Sequence, residues 1–121
     1  ITQGVVIGAA HIAEELKARL VVVVSHSGAT ALALSKRRNV VPIVGISDLP
    51  ETQRQMCLYW NVIPLTGAPM TDSHDLLRFI ENWGQADGCL SAGDLVVLVA
   101  GIGLASRGHN MVRVHEVGGG T

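Results

Sequence analysis

The stretch LVVVVSHSGAT, at residues 20–30, decides the fold. Its leading run of β-branched residues is too short for a helix and predicts a buried parallel strand. The small residues that follow predict a tight turn, and ALAL at 31–34 predicts the helix that comes after the turn. This order of strand, turn and helix is typical of an α/β protein.

The turn in this stretch has the chemistry of an anion site. The first N–H groups of a helix have no intrahelical acceptor and carry partial positive charge, and nearby hydroxyl groups can add hydrogen bonds. Ser25, Ser27 and Thr30 supply three such hydroxyls. A plainer interpretation is also open, in which Ser27 or Thr30 is a helix N-cap without a ligand. The pattern has neither the dinucleotide fingerprint nor the Walker motif, which excludes both of those loops.

The composition favours one domain of 121 residues. Apolar residues make up 48% of the chain and aromatic residues 3%, so we expect a core of Val, Leu, Ile and Ala. We expect this domain to span residues 1–117, with residues 118–121 as a flexible glycine-rich tail or linker. Because the sequence opens at Ile1 instead of Met, we also expect a trimmed form or a piece of a longer polypeptide.

The charge pattern excludes some classes of partner. The net charge is −1 and the basic residues are not massed in one block, which argues against nucleic acid or an anionic membrane as the main partner. No apolar stretch approaches the roughly 20 residues of a membrane span. Cys57 and Cys89 lie far apart, which predicts buried free thiols in a reducing cytoplasm.

Periodicity and turn residues predict the remaining elements. A first helix from Thr2 to Arg19 would turn Val5, Ala9, Ile12 and Leu16 towards the sheet. Pro64 indicates that its strand lies at a sheet edge, and the alternation after Asn110 indicates an antiparallel edge strand. The other predicted elements are helices at 28–37, at 51–59 and from Asp72 or Ser73, and strands at 43–46, 62–65, 95–100 and 110–117. Pro50 is expected in the first turn of the helix at 51–59, and Asn61 is expected to end that helix in a left-handed conformation.

A second loop, between the predicted strands at 95–100 and 110–117, completes the candidate site. Ligands gather at the carboxyl ends of strands in open α/β sheets, and this loop and the turn at 25–30 both follow such ends. If the two strands are neighbours, both loops face one cleft. Arg107 would then be a natural fork for a phosphate. The candidate residues of this second loop are Gly101, Arg107, Gly108, His109 and Asn110.

The sequence offers little for catalysis. Its five histidines are scattered without the spacing of metal ligands, and no serine lies in a nucleophile elbow. Asp48 follows a strand, where a catalytic carboxylate could lie, but a helix cap is the preferred interpretation. We therefore predict no catalytic residue and no metal site in this chain.

Three segments carry a resemblance to a known family. They are SGATA at 27–31 with SK at 35–36, PETQRQMCLYWNVIP at 50–64, and GDLVV at 93–97 with AG at 100–101 and HN at 109–110. In that order they are similar to the Ser-Gly-x-Thr/Ser-Ala turn, the Pro-x-Thr-x-Arg-Gln helix and the Gly-Asp-x-Val-Val strand of the pyruvate kinase C-terminal domain. The sequence resembles this domain over nearly its whole length.

The resemblance implies a fold and a role. The fold would be three-layer α/β/α, with a five-stranded, mostly parallel sheet whose last strand is antiparallel. The domain would bind a phosphorylated effector, a sugar phosphate or a nucleotide monophosphate, and contribute a subunit contact of a homo-oligomer. The phosphate would lie in the turn matching Ser25, Ser27, Gly28, Ala29 and Thr30, closed over by the loop matching Gly101 to Asn110.

The resemblance also implies what this domain lacks. The family's active site, with its Mg²⁺ and K⁺, lies in a separate barrel domain, so we expect no cofactor here and no activity from this domain alone. The parent enzyme would transfer phosphate from phosphoenolpyruvate to ADP in glycolysis, in the cytoplasm. A structural assembly module with a degenerate effector site is the alternative. A self-contained small enzyme is a third possibility, which the lack of catalytic motifs in the sequence disfavours.

Overall fold

A five-stranded α/β sheet forms the centre of the protein. The computed structural model describes residues 2–24, 28–37, 41–68, 73–100 and 111–118. In chain order, the elements are α1 (Thr2–Glu15), β1 (Leu20–Val24), α2 (Ala29–Lys36), β2 (Ile43–Ile46), α3 (Pro50–Met56), β3 (Val62–Pro64), α4 (Ser73–Asp87), β4 (Leu95–Ala100) and β5 (Met111–Glu116).

The strand order is β3-β2-β1-β4-β5. β1 pairs in parallel with both β2 and β4, and β5 pairs antiparallel with β4. β3, which contains Pro64, lies at one edge, where a residue without an N–H interrupts no ladder. The predicted α/β class, the mostly parallel five-stranded sheet and both edge strands are confirmed.

The core lies on both faces of the sheet because alternate residues of each strand point to opposite sides. Val21 and Val23 pack with α1, α2 and α3, whereas Val22 and Val24 pack with α4. Both clusters consist mainly of aliphatic side chains, as the composition predicts. Because β1 and β4 are parallel neighbours, their carboxyl ends lie at the same edge of the sheet.

The first helix differs from its prediction. It ends at Glu15, four residues before Arg19, and Leu16 is 45% exposed. Among residues 7–15, the part of α1 whose side chains the structure describes, the buried residues are Ala9, Ala10 and Ala13. Ala9 of the predicted stripe is buried and Ile12 packs against the core, so the stripe is confirmed at these two positions and wrong at Leu16. Small side chains allow the helix to lie close to the sheet.

Two predictions near α3 are wrong and two are confirmed. Cys57 is exposed, although both cysteines are free as expected. The N-cap of α3 is Leu49, not Asp48. Pro50 occupies the first turn, where its missing N–H costs nothing. Asn61 has φ 61°, the left-handed conformation expected after this helix.

No helix among the described residues is long and apolar enough to cross a membrane.

Candidate functional site

The carboxyl ends of β1 and β4 form a topological switch point. The chain runs outward from β1 to β2 and β3, and then returns to place β4 on the other side of β1. Val23 of β1 pairs with Val99 of β4, so the two strands end side by side. The strand order therefore confirms that β1 and β4 are neighbours, as the predicted shared cleft requires. In open α/β sheets, ligands bind at such a point.

Gly28 begins α2 at this edge. Its φ of 82° is left-handed, a conformation that glycine adopts without steric cost, and its carbonyl oxygen accepts a 2.9 Å hydrogen bond from the Leu32 N–H. A Cβ at this position would lie 3.2 Å from Thr52 Cγ2 and 3.5 Å from Tyr59 Oη of the neighbouring α3 segment. Both the backbone conformation and the close approach of α3 therefore favour glycine.

The first turn of α2 bears on the alternative in which a hydroxyl residue is only a helix N-cap. The N-cap is Gly28, so Thr30 does not occupy the capping position. Thr30 lies inside the helix and is 1% exposed. Its side chain thus lies below the protein surface, and Ala29 occupies the first helical position.

The charges along α2 favour an anion at its start. The first turn has no acidic residue, and Lys36 lies in the last turn. An acidic first turn would repel an anion, whereas a cation at the far end matches the helix dipole. The partial positive charge at the start of α2 is therefore not opposed by a carboxylate of its own first turn.

The structure brings together only part of the predicted site. It describes Gly28, Thr30 and the backbone of Ala29 beside the end of β4. Ser25 and Ser27 lie outside the described residues, as does the whole second loop, with the candidates Gly101, Arg107, Gly108, His109 and Asn110. Their roles stay predictions.

A polar cluster between α4 and β5 was missed by the sequence reasoning. Glu81 Oε2 lies 3.0 Å from His115 Nε2, and Glu81 Oε1 accepts a 2.9 Å hydrogen bond from the Gly118 N–H. The side chains of His115 and Glu81 are 12% and 22% exposed. We call these three residues the α4–β5 clamp, because one carboxylate joins the helix to the strand and to the residue just beyond it.

The electrostatics of the clamp favour an ionised carboxylate. The backbone hydrogen bond from Gly118 lowers the pKa of Glu81, burial opposes that change, and the hydrogen bond and charge of His115 lower the pKa further. The pKa of Glu81 consequently lies below the ordinary value of 4.5. A single sequence gives only a faint signal for this pair: alternation along β5 turns His115 towards the face that α4 covers.

The described residues hold no group of three or more His, Cys, Asp or Glu side chains that could bind a metal ion.

These observations define an open α/β domain with a topological switch point where β1 and β4 end. The family model described as "Pyruvate kinase, alpha/beta domain" matches residues 3–115. This chain belongs to that family, and its resemblance to the pyruvate kinase C-terminal domain is confirmed.

Relatives and solved structures agree with this assignment. Pyruvate kinases of Staphylococcus haemolyticus and Staphylococcus aureus are 30% and 32% identical over 113 residues. The match covers 93% of this chain and 19% of each relative, so the chain spans about a fifth of their length. A crystal structure of pyruvate kinase from Cryptosporidium parvum has the same fold, with a TM-score of 0.86 at 18% identity, over 97% of this chain and 23% of that one.

Proposed function

We propose that this chain is the regulatory domain of a pyruvate kinase and binds a phosphorylated effector where β1 and β4 end. The observation that carries the proposal is the start of α2 at the switch point, with a left-handed Gly28 and no acidic residue in the first turn. A phosphate there would receive backbone N–H groups and the positive end of the helix dipole. Kinship with pyruvate kinases makes a regulatory role the natural one for such a site.

The effector in this proposal is a sugar phosphate or a nucleotide monophosphate. Its phosphate lies against the turn of Ser25, Ser27, Gly28, Ala29 and Thr30. Because Thr30 is 1% exposed, the main chain of the turn supplies more of the contact than the threonine side chain. The loop from Gly101 to Asn110 closes over the ligand, with Arg107 as the charged partner of the phosphate.

Thermal unfolding tests the proposal. Glucose 6-phosphate and AMP are compared with glucose and adenosine, which share the remaining atoms but lack the phosphate. A ligand at ten times its Kd stabilises the folded state by about 1.4 kcal/mol. For a domain of this size we expect a rise in Tm of about 4–7 °C. The absence of a shift with every phosphorylated compound would remove the proposal.

A pair of substitutions at Ala29 locates the binding. Ala29→Glu places a carboxylate at the first position of α2, where it suits the helix dipole but repels a phosphate. Ala29→Gln has nearly the same size without the charge and is the matched control. We expect Ala29→Glu to abolish the ligand-induced shift and Ala29→Gln to retain most of it. Equal retention by both variants would place the ligand elsewhere.

The parent enzyme in this proposal transfers phosphate from phosphoenolpyruvate to ADP in the cytoplasm. Its Mg²⁺ and K⁺ would belong to a separate catalytic domain, so we expect this chain alone to have no pyruvate kinase activity. An assay coupled to lactate dehydrogenase tests this directly. Turnover by the purified chain above a buffer control would contradict the division of roles.

Assembly is a second candidate function, and it is compatible with effector binding. β5 is an edge strand, and its Val114 is 42% exposed. Ile7 and Leu16 of the α1 segment are 54% and 45% exposed. An edge strand with apolar side chains can pair with another chain. This surface therefore suits a subunit contact of a homo-oligomer.

Sedimentation at increasing protein concentration tests the assembly role. We expect association that does not depend on ligand, and Val114→Lys should weaken it. Leu58→Lys is the control, because Leu58 is 84% exposed and follows α3, at a distance along the sheet from β5. A chain that stays monomeric at every concentration would count against this role.

A further inference from the structure

A pocket of about 380 Å³ opens just beyond the ends of β2 and β3. Its lining comes from the loop after β2, from α3 and from the loop after β3, and consists of Ser47, Asp48, Pro50, Gln53, Arg54, Thr66 and Gly67. One water molecule occupies about 30 Å³, so the pocket has room for a small organic ligand. None of the lining residues belongs to the candidate effector site at the ends of β1 and β4.

Gln53 joins the two loops that form this pocket. It is 8% exposed, and its Nε2 donates to the Ser47 carbonyl oxygen at 3.2 Å and to the Leu65 carbonyl oxygen at 2.8 Å. These two bonds fix the orientation of the amide, because a reversed amide would set Oε1 against two carbonyl oxygens. Since the amide reaches both loops, it is this end of the side chain that forms the pocket wall.

The oxygen of the same amide has no partner. Gln53 Oε1 is buried and accepts no hydrogen bond from any residue that the structure describes. Buried polar side-chain atoms nearly always have a hydrogen-bond partner, because an unpaired acceptor loses its hydration without compensation. An unpaired acceptor in the wall of a pocket therefore favours a ligand that brings a donor to it.

We propose that this pocket binds a small carboxylate that also carries a hydroxyl or ammonium group. The hydroxyl or ammonium donates to Gln53 Oε1, and the guanidinium of the exposed Arg54 matches the carboxylate. Asp48, the acidic residue of the lining, already interacts within the protein, so Gln53 and Arg54 carry the recognition.

The lining must open slightly to admit the donor, because Gln53 Oε1 is buried. Thr66 and Gly67 can supply that movement, since both are exposed. A Cβ at Gly67 would meet no heavy atom within 4 Å, which shows that this part of the loop is not packed against the rest of the described fold. The pocket can therefore adapt to a ligand without disturbing the core.

Three diacids with the same carbon skeleton test the donor contact. L-Malate has a hydroxyl group at C2, L-aspartate has an ammonium group there, and succinate has neither. NMR titration of the backbone and of the Gln53 side-chain amide measures each Kd. We expect saturable shifts at residues 47–48 and 66–67, and a Kd for malate or aspartate about tenfold below that of succinate, the effect of one hydrogen bond. The tighter of the two identifies the donor as hydroxyl or ammonium.

Substitutions on α3 separate this contact from looser packing. Gln53→Met keeps the length of the side chain but removes the acceptor, so malate and aspartate should bind only as weakly as succinate. Loss of the two Nε2 bonds would instead weaken all three ligands alike. Gln55→Met is the matched control, because Gln55 is exposed on the same helix and lies outside the lining, and it should preserve the preference.

The carboxylate contact has its own pair of variants. Arg54→Gln should weaken all three diacids about threefold, as expected of an exposed ion pair. Arg37→Gln removes an exposed arginine at the end of α2 and should leave the three affinities unchanged. Equal affinity for the three diacids, shifts that rise linearly without saturation, or a preference that survives in Gln53→Met would overturn the proposal. The comparison of the diacids needs no variant, so it decides the matter even where Gln53→Met fails to fold.

Discussion

Replacing Glu81 with Gln should destabilise the protein by removing the charge of the α4–β5 clamp. The amide oxygen of a glutamine can still accept from the Gly118 N–H, but the charge opposite His115 is lost. A hydrogen bond to a charged group contributes about 1.5–3 kcal/mol, and partial exposure reduces this value. With the two side chains 22% and 12% exposed, we expect a loss of about 1–2 kcal/mol near pH 6.

The loss of unfolding free energy in Glu81→Gln should depend on pH. Because the pKa of Glu81 is lower in the folded protein, the ionised carboxylate stabilises the fold above the ordinary value of 4.5. That contribution is lost as the pH falls through the lower folded value. The difference in unfolding free energy between the wild type and Glu81→Gln should therefore be full at pH 6 and shrink towards zero below pH 4.5.

Urea denaturation between pH 3 and pH 7 measures this difference, with the slope of the transition as a check on two-state behaviour. Glu15→Gln is the matched control. It also removes a carboxylate from a histidine, but His11 Nε2 and Glu15 Oε1 are 3.8 Å apart and their side chains are 71% and 68% exposed. We expect that control to cost less than about 0.5 kcal/mol. Equal losses in the two variants, or a loss independent of pH, would refute the reasoning.

Three further predictions concern packing, backbone conformation and thiol chemistry. Gly84→Ala should cost about 1–3 kcal/mol in chemical denaturation, because its Cβ would run into Leu90, and a Leu90→Ala background should reduce the penalty. Gly118→Ala should cost about 1 kcal/mol, since φ is 75° and a Cβ would lie 3.3 Å from the Ala92 Cβ. Iodoacetamide should alkylate the exposed Cys57 before Cys89 in a mass-spectrometric time course, because burial raises the pKa of the Cys89 thiol.

The sequence predicted the features that depend on local signals. The valine run of β1 has one interpretation because it is short, β-branched and followed by turn residues. Asn61 tolerates the left-handed conformation through its own side-chain chemistry. Alternation along β5 identified an edge strand. In each case the deciding residues lie within one element or next to it.

Features that depend on distant segments could not be predicted in the same way. Glu81 and His115 are 34 residues apart, and their contact exists only because β5 turns back beside β4, under α4. The full buried face of α1 depends on how closely the helix approaches the sheet, which favours Ala10 and Ala13 over larger residues. Glycine at position 28 reflects contact with α3, which the turn sequence does not contain.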